Sequence, residues 1–418
     1  MLKNNWIKYT NIILDKFNIK GNYIMNTNLL ESLTRWCEIN LDLLAHNIAE
    51  AKKIISPNNK IIAVVKDNAY GLGDVVITSE MERLGIDFFA VSHIDEAIRL
   101  RKNGLKSDIL ILSYTSPYYF ELLSKYKLTQ TLISLEYAKK IDNFCNIHHC
   151  QINTHVNIDT GMHRFSLCYD GTTSTIEPIL EIYNLSHLTI TGTYTHFSVA
   201  DSLIPDNITY TQKQYELFQD LINILREKGI NTGILHTQNT PATLHFPDFK
   251  CNYIRVGSLL LGMVYGEITT SPIAKNFKSL LSLKSRISNV KMLPPNTKVG
   301  YGLNYTTSKF EKIAVVAIGY GDGFPRYLSN RQVHVMVNGH LAEVIGNICM
   351  DQLLINVTSL PNVEEGDIVT LIGSSGTHTV SLDDIAQMMN TLNNEIAIHI
   401  NPRVYIRNNE TFIKFLLF

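Results

Sequence analysis

Residues 61–73 read Ile-Ile-Ala-Val-Val-Lys-Asp-Asn-Ala-Tyr-Gly-Leu-Gly. Five apolar residues run unbroken into a lysine, and a glycine-rich turn follows. An unbroken apolar run of this length suits a strand covered on both faces, as in parallel sheets flanked by helices. Seven further β-rich runs follow at 88–92, 108–113, 129–134, 152–158, 188–196, 233–238 and 253–259. Helical patterns lie between several of them. Residues 44–55 place Leu44, Ile48, Ala51 and Ile55 on one face. Residues 211–228 do the same with Tyr215, Phe218, Leu221, Ile222 and Leu225. Eight parallel strands joined by helices predict an α/β chain whose leading architecture is a (β/α)8 barrel. An open doubly wound sheet is the alternative, because a strand count does not fix closure.

The pattern changes near residue 278. Short strands are expected at 285–292, 313–318, 334–337, 340–345, 352–357 and 368–372, with one helix at 382–392. Asn338-Gly339 is a hairpin signal. The expected organisation is therefore an N-terminal extension at 1–35, a barrel at 36–278 and a mainly β C-terminal domain at 279–418. Charged and asparagine residues break every apolar run in the first 35 residues, and no leader with a small-residue cleavage site is expected there. Met25 is a candidate alternative start. The extension is expected to be poorly ordered or one short helix.

Composition narrows the function classes. The 418 residues carry 37 Lys plus Arg against 38 Asp plus Glu, so nothing global favours nucleic acid or an anionic membrane. At 45% hydrophobic, the chain can bury a large core. No run reaches the ~18 apolar residues that signal a membrane span. Cys37, Cys145, Cys150, Cys168, Cys251 and Cys349 show no metal-ligand spacing. Thiols in a reducing cytoplasm are expected, with no metal site.

Chemistry in a parallel barrel gathers where strands end. The first strand ends in Lys66. Desolvation would favour a neutral amine able to join an aldehyde; a lysine snorkelling from a strand mouth is the plainer alternative. The fifth strand runs into Asp159-Thr-Gly-Met-His-Arg164, the sixth ends in Tyr194-Thr-His196-Phe, and the seventh in His236-Thr-Gln-Asn-Thr240. The eighth carries Arg255-Val-Gly257-Ser258. Barrels often bind phosphate after strands seven and eight, and Thr240, Gly257 and Ser258 suit that role. Taken singly, each is ordinary turn chemistry. An amine opposite a phosphate cradle suits a cofactor with one aldehyde and one phosphate: pyridoxal 5'-phosphate.

Ala63-Val-Val-Lys66-Asp-Asn-Ala-Tyr70-Gly-Leu-Gly73 resembles the pyridoxal-phosphate signature of alanine racemases. The resemblance continues through Asp159–Arg164, Tyr194–Phe197, Arg255–Gly257, Val299-Gly-Tyr301-Gly, Ile318-Gly-Tyr320-Gly-Asp-Gly and Ile348-Cys-Met350-Asp351-Gln. It covers roughly residues 36–410 in one order. It implies a homodimer whose sites each join one subunit's barrel to the other's β domain. It further implies that Lys66 holds the cofactor and acts as one acid/base, and that the partner subunit's Tyr301 acts on the opposite face. A His196–Arg255 relay would make that phenol a better base. Arg255 would also face the cofactor's ring nitrogen. Arg164 would bond the cofactor's phenolic oxygen, and Tyr70, Thr240, Gly257 and Ser258 would hold its phosphate. The backbone N–H of Met350 would meet the substrate carboxylate, with Arg164 close to it. Tyr320 and Arg326 would line the entrance. The implied reaction interconverts L- and D-alanine, a small amino-acid substrate, and supplies D-alanine for peptidoglycan.

Several positions depart from the family pattern. Asn157 stands where many members carry a carbamylated lysine; its amide oxygen is expected to take over part of the orientation of Arg164. His163 replaces a glycine, Asp67 an alanine and Leu72 a histidine. His399 replaces a tyrosine that narrows the site, which opens the reading of a racemase for serine or a broader set. The other rivals are a decarboxylase of the same fold and a non-catalytic carrier of the cofactor. The Tyr301 motif argues against the first, and residues 280–418 argue against the second.

Overall fold

The computed structural model describes residues 23–25, 33–56, 59–265, 267, 271–400, 403–407 and 410–414. The chain divides into two compact units, one spanning Leu44–Lys278 and one combining Met1–Leu43 with Ser279–Phe418.

Eight strands build the first unit: β1 (Lys60–Val64), β2 (Phe88–Val91), β3 (Asp108–Ile111), β4 (Thr129–Leu132), β5 (Asn153–Asp159), β6 (Thr189–Thr195), β7 (Ile234–His236) and β8 (Tyr253–Val256). Each pairs in parallel with the next. β8 returns to β1 with Ile254 opposite Ile61, so the sheet closes. The barrel is thereby decided over the open sheet. A two-residue strand, Leu167–Cys168, lies against the end of β5. Near β1–β3 the core is apolar, with Ile62, Val64, Phe88, Ala90 and Leu110 in one buried cluster. Burying side chains of that size contributes roughly 1.5–3 kcal/mol each.

The interior near β5–β8 is polar. His155 on β5, Tyr194 on β6, His236 on β7 and Arg255 on β8 are all buried. Strand register explains their meeting: His155 sits opposite Gly192, Asn157 opposite Tyr194, and Tyr194 opposite His236. A side chain on Gly192 would come within 2.7 Å of the His155 ring, so that glycine makes room for the imidazole.

In the second unit six strands form a closed antiparallel ring: β9 (Leu281–Leu293), β10 (Glu311–Val316), β11 (His334–Val337), β12 (His340–Ile345), β13 (Leu353–Asn356) and β14 (Ile368–Ser375). The ring runs β9-β10-β13-β12-β11-β14 and back to β9. Asn338 and Gly339, both at positive φ, form the two-residue turn between β11 and β12. The single helix expected at 382–392 is two, Leu382–Met389 and Asn393–Ile398, because Asn390 adopts a left-handed cap that ends the first.

The strand Arg35–Asn40 corrects the expected barrel start at residue 36. It pairs with β9, and the first unit begins at Leu44. Trp36 explains the choice: its ring is buried in this second unit, beneath the guanidinium of Arg286. Within the N-terminal extension, Tyr23–Met25 is a strand paired with Glu410–Lys414 rather than part of a helix. Residues 1–22 and 26–32 of that extension lie outside the described residues. Among the described residues no helix is long and apolar enough to cross a membrane, and no cluster of side chains suits a metal ion.

Candidate active site

Lys66 opens a short segment, Lys66–Tyr70, in an unusual conformation. Asp67, Asn68, Ala69 and Tyr70 have φ of 53°, 57°, 53° and 52°, a left-handed turn made without glycine. Left-handed backbone costs a non-glycine residue roughly 1–2 kcal/mol, so four in a row need outside support. Glu96 provides it: one carboxylate oxygen accepts the Asp67 N–H at 2.6 Å, and the other accepts those of Ser92 and His93. The Asn68 side chain accepts the N–H of Asp74, whose own carboxylate is held by Arg99. Gly71 and Gly73 close the turn by donating to the carbonyls of Asp67 and Asn68. None of this bracing is legible from the motif alone.

The side chain of Lys66 is 41% exposed and stands 3.7 Å from the Asp67 carboxylate. Within the single chain, that exposure matches the lysine reaching out of a strand mouth that the sequence also allowed.

Tyr70 leans toward the end of β8. A Cβ on Gly257 would lie 2.6 Å from the Tyr70 hydroxyl and 2.7 Å from the carbonyl of Val64. Ser258 and Thr240 are buried beside this cradle, their hydroxyls 3.5 Å apart. Uncharged hydroxyls gathered where Gly257 lets Tyr70 approach the backbone suit a phosphate, and the amine of Lys66 suits an aldehyde, so the residues present fit pyridoxal phosphate. Replacing Gly257 by alanine is expected to weaken cofactor affinity about tenfold or more, because backbone at Val64 cannot yield. Equilibrium dialysis of the purified variant against pyridoxal phosphate measures this.

Arg255 is the hub. It is buried and donates to the carbonyls of Thr195, His236 and Thr237, to Nδ1 of His236 at 2.8 Å and to Nδ1 of His196 at 3.2 Å. Burial pushes its guanidinium down to about 10, still protonated at neutral pH. A guanidinium only donates, so both imidazoles accept at Nδ1 and carry their proton on Nε2. His236 passes that proton's bond to Nδ1 of His155 at 2.9 Å. His236 also stacks on the Tyr194 ring, with Arg255 over the same ring. Burial, then the Arg255 charge, holds His155 down to about 3 and His236 well below its ordinary value. His196 is lowered by burial and then by the charges of Arg255, Arg164 and Lys66, which places those cations around one imidazole.

Asp159 shapes the loop to Arg164. Its carboxylate accepts the backbone N–H groups of Gly161, Met162 and His163 at 2.9–3.0 Å. Burial alone would raise it; these donors outweigh burial and hold it below its ordinary value. His163 has φ of 53°, which explains why a glycine suits that position. Asn157 donates to the carbonyl of Phe165 at 3.0 Å and borders a small cavity with Arg164 and His196. It thus braces the Arg164 segment through its backbone and its N–H, where an amide-oxygen contact was expected.

Tyr301, Tyr320, Arg326 and Met350 all lie in the second unit, on one cluster of loops. Tyr320 and Gly321 donate to the carbonyls of Cys349 and Met350. Gly319 allows this approach, since a Cβ there would sit 2.3 Å from both carbonyls. The carbonyl of Arg326 accepts from the Ser329 hydroxyl, which in turn takes the N–H of Ile348. His399 is exposed, and its carbonyl packs against Gly323 of the Tyr320 turn. Tyr301 is 72% exposed.

Residues 39–264 match the alanine racemase N-terminal domain family, and residues 280–407 match the alanine racemase C-terminal domain family. The chain belongs to the alanine racemase family. A serine/alanine racemase of Enterococcus gallinarum is 38% identical over 88% of this chain and 51% of its own length. The chain thus spans about half of that relative. An alanine racemase of Methanococcus maripaludis is 35% identical over 89% of this chain and 98% of its own length. The structure of an alanine racemase from Clostridium difficile superposes with a TM-score of 0.83 at 34% identity, covering 92% of this chain and all of that one. Alanine racemases are isomerases, and this family assignment makes the strand-end cluster the candidate active site. His155, Glu96 and the left-handed turn are what the sequence reading missed there, and His236 was placed at a strand end without a role. Only the alternation His155-x-Asn157-x-Asp159 on one strand hinted at an inward polar face.

Proposed function

We propose that this protein interconverts L- and D-alanine as a pyridoxal-phosphate-dependent, two-base racemase, working as a homodimer with shared sites. When bound, the cofactor supplies an electron sink that makes the substrate's α-proton removable. Lys66 anchors the aldehyde end and takes or returns a proton at one face of Cα. Tyr70, Thr240, Gly257 and Ser258 hold the phosphate end, which fixes that face toward Lys66. The partner subunit's Tyr301 works at the other face. A phenol ordinarily titrates near ~10 and needs help to act as a base at neutral pH. His196 gives that help: with Nδ1 occupied by Arg255, its Nε2–H is left to stabilise the phenolate. This forced tautomer is the observation that carries the reading. Arg255 keeps its own proton, so it would hydrogen-bond the cofactor's ring nitrogen without protonating it, which would restrain electron withdrawal and side reactions. Arg164 and the Met350 N–H orient the substrate, and Tyr320 with Arg326 guards the entrance.

Product D-alanine would serve peptidoglycan synthesis. None of the six cysteines is in a disulfide, which suits a reducing cytoplasm. A second reading, racemisation of serine as well, is favoured by the similarity to a serine/alanine racemase and by a histidine at position 399.

The test is chiral analysis of L-alanine and of L-serine incubated with protein and cofactor in D2O. Deuterated D-alanine is expected, and carbon dioxide release without D-alanine would defeat the proposal. Tyr301→Phe is expected to slow α-proton exchange from one enantiomer by about 10²-fold or more and from the other far less. Equal losses would remove the face-specific base.

A further inference from the structure

Tyr301 opens a single 3-10 turn, Tyr301–Leu303, that Gly302 interrupts with a left-handed conformation. The strands Lys298–Val299 and Tyr305–Thr306 pair, and residues 300–304 connect them. Three of those five residues, Gly300, Gly302 and Leu303, have positive φ, and for leucine that is a costly conformation. Inside the loop the Leu303 N–H donates to the Gly300 carbonyl at a long 3.3 Å. The far side is anchored better: the Tyr305 hydroxyl donates to the buried Glu311, and Asn356 donates to both.

The near side is held by one amide. Asn347 Nδ2 donates to the backbone carbonyl of Tyr301 at 2.8 Å. Its Oδ1 accepts from Asn304 Nδ2 at 3.3 Å and from Asn330 Nδ2 at 2.9 Å. The orientation of this amide is forced, since turning it over would set oxygen against the Tyr301 carbonyl. Gly302 leaves room for it, because a Cβ there would stand 3.1 Å from the side-chain nitrogens of Asn304 and Asn347. Asn347 also begins the run Asn347-Ile-Cys-Met350, which reaches the residue expected to meet the substrate carboxylate.

We infer that Asn347 is a positioning residue for Tyr301: its amide clamps the strained loop and so fixes where the phenol is presented. This rests on the two-base reading. Asn347 does not touch the reacting atoms. It sets the geometry of one base and leaves the other alone, so its loss acts on one face of the substrate.

The experiment compares solvent-deuterium exchange at the α-position from pure L- and pure D-alanine, using cofactor-loaded protein. Asn347→Asp keeps size and both acceptor contacts but removes the donor to the Tyr301 carbonyl. It is expected to slow exchange from the Tyr301-dependent enantiomer about tenfold to a hundredfold. Exchange from the other enantiomer, the visible band of the bound cofactor and the denaturation midpoint should stay near wild type. Asn347→Ser gives the same comparison if the carboxylate disturbs folding. Asn330→Ala, which spares the bond to Tyr301, should show no enantiomer preference. Tyr301→Phe is measured alongside. If Tyr301→Phe is enantiomer-selective and both Asn347 variants are not, the inference is overturned and the two-base reading stands. If Tyr301→Phe is itself unselective, both are overturned.

Discussion

Lys66→Ala is expected to abolish the visible absorption band of the cofactor-loaded protein and to lower racemisation by roughly 10³-fold or more. Two losses coincide at one atom. On the proposed reading, the amine that would join the aldehyde goes, and so does the proton carrier proposed for one face of Cα. The fold should survive, because the lysine side chain gives up only a half-exposed, 3.7 Å ion pair with its neighbour Asp67. The strained turn after it is held by Glu96, Asn68 and two glycines, all of which remain. Cofactor should still enter, held more weakly through the cradle of Tyr70, Thr240, Gly257 and Ser258. Absorption spectra and equilibrium dialysis together separate these effects. A variant that retains the band would remove Lys66 from its assigned role. A small primary amine added to the variant should restore part of the α-proton exchange, since it can replace the lost proton carrier. Restoration would not follow if the substitution had simply unfolded the site.

The strands of both units are legible because each is an apolar run between turn signals. β1 is plain in Ile61–Val65, and the hairpin of β11 and β12 is plain in Asn338-Gly339. The strand Arg35–Asn40 was misallocated because its pattern, two buried residues and then alternation, fits either unit. Only the partner decides, and β9 lies some 240 residues downstream. At the strand ends the residue types were likewise visible, but only the family resemblance, not the residues taken singly, suggested roles for Arg164, His196 and Arg255. What escaped was support. A glutamate thirty residues from the lysine says nothing about accepting its neighbour's N–H. Four left-handed residues in Asp-Asn-Ala-Tyr are contrary to local preference for all but the asparagine and aspartate. His155 and Asn347 share that invisibility, because each acts through a partner 46 or more positions distant.

Acid should destabilise the barrel well before its carboxylates respond. His155 and His236 are buried and neutral, locked there by a donor-only guanidinium. Unfolded, each imidazole regains an ordinary value near ~6.5. Below that value the unfolded chain binds protons that the folded barrel refuses, until the lowered folded values are reached. In that window stability rises with pH and falls as pH drops, by up to about 1.4 kcal/mol per unit for each histidine. From pH 8 to pH 5 the pair should remove roughly 4 kcal/mol, a large share of the 5–15 kcal/mol typical of a folded domain. Asp159 acts in a different window: its lowered value makes its contribution disappear only as pH falls below its ordinary 3.8. Urea denaturation at pH 8, 6.5 and 5 measures the slope. His155→Gln isolates the cause. A glutamine oxygen can still accept from His236 Nε2, yet it takes up no proton; with His196 lowered by burial as well, the variant should lose about a third of the pH dependence. An unchanged slope in that variant would mean the acid sensitivity resides elsewhere in the barrel. A slope reduced by that share would tie the neutral tautomers of the buried cluster to the pH range in which the fold survives. Burial first, and the Arg255 charge second, keep these imidazoles neutral, so the buried polar cluster in which Arg255 fixes the proton on His196 is also the source of the acid lability.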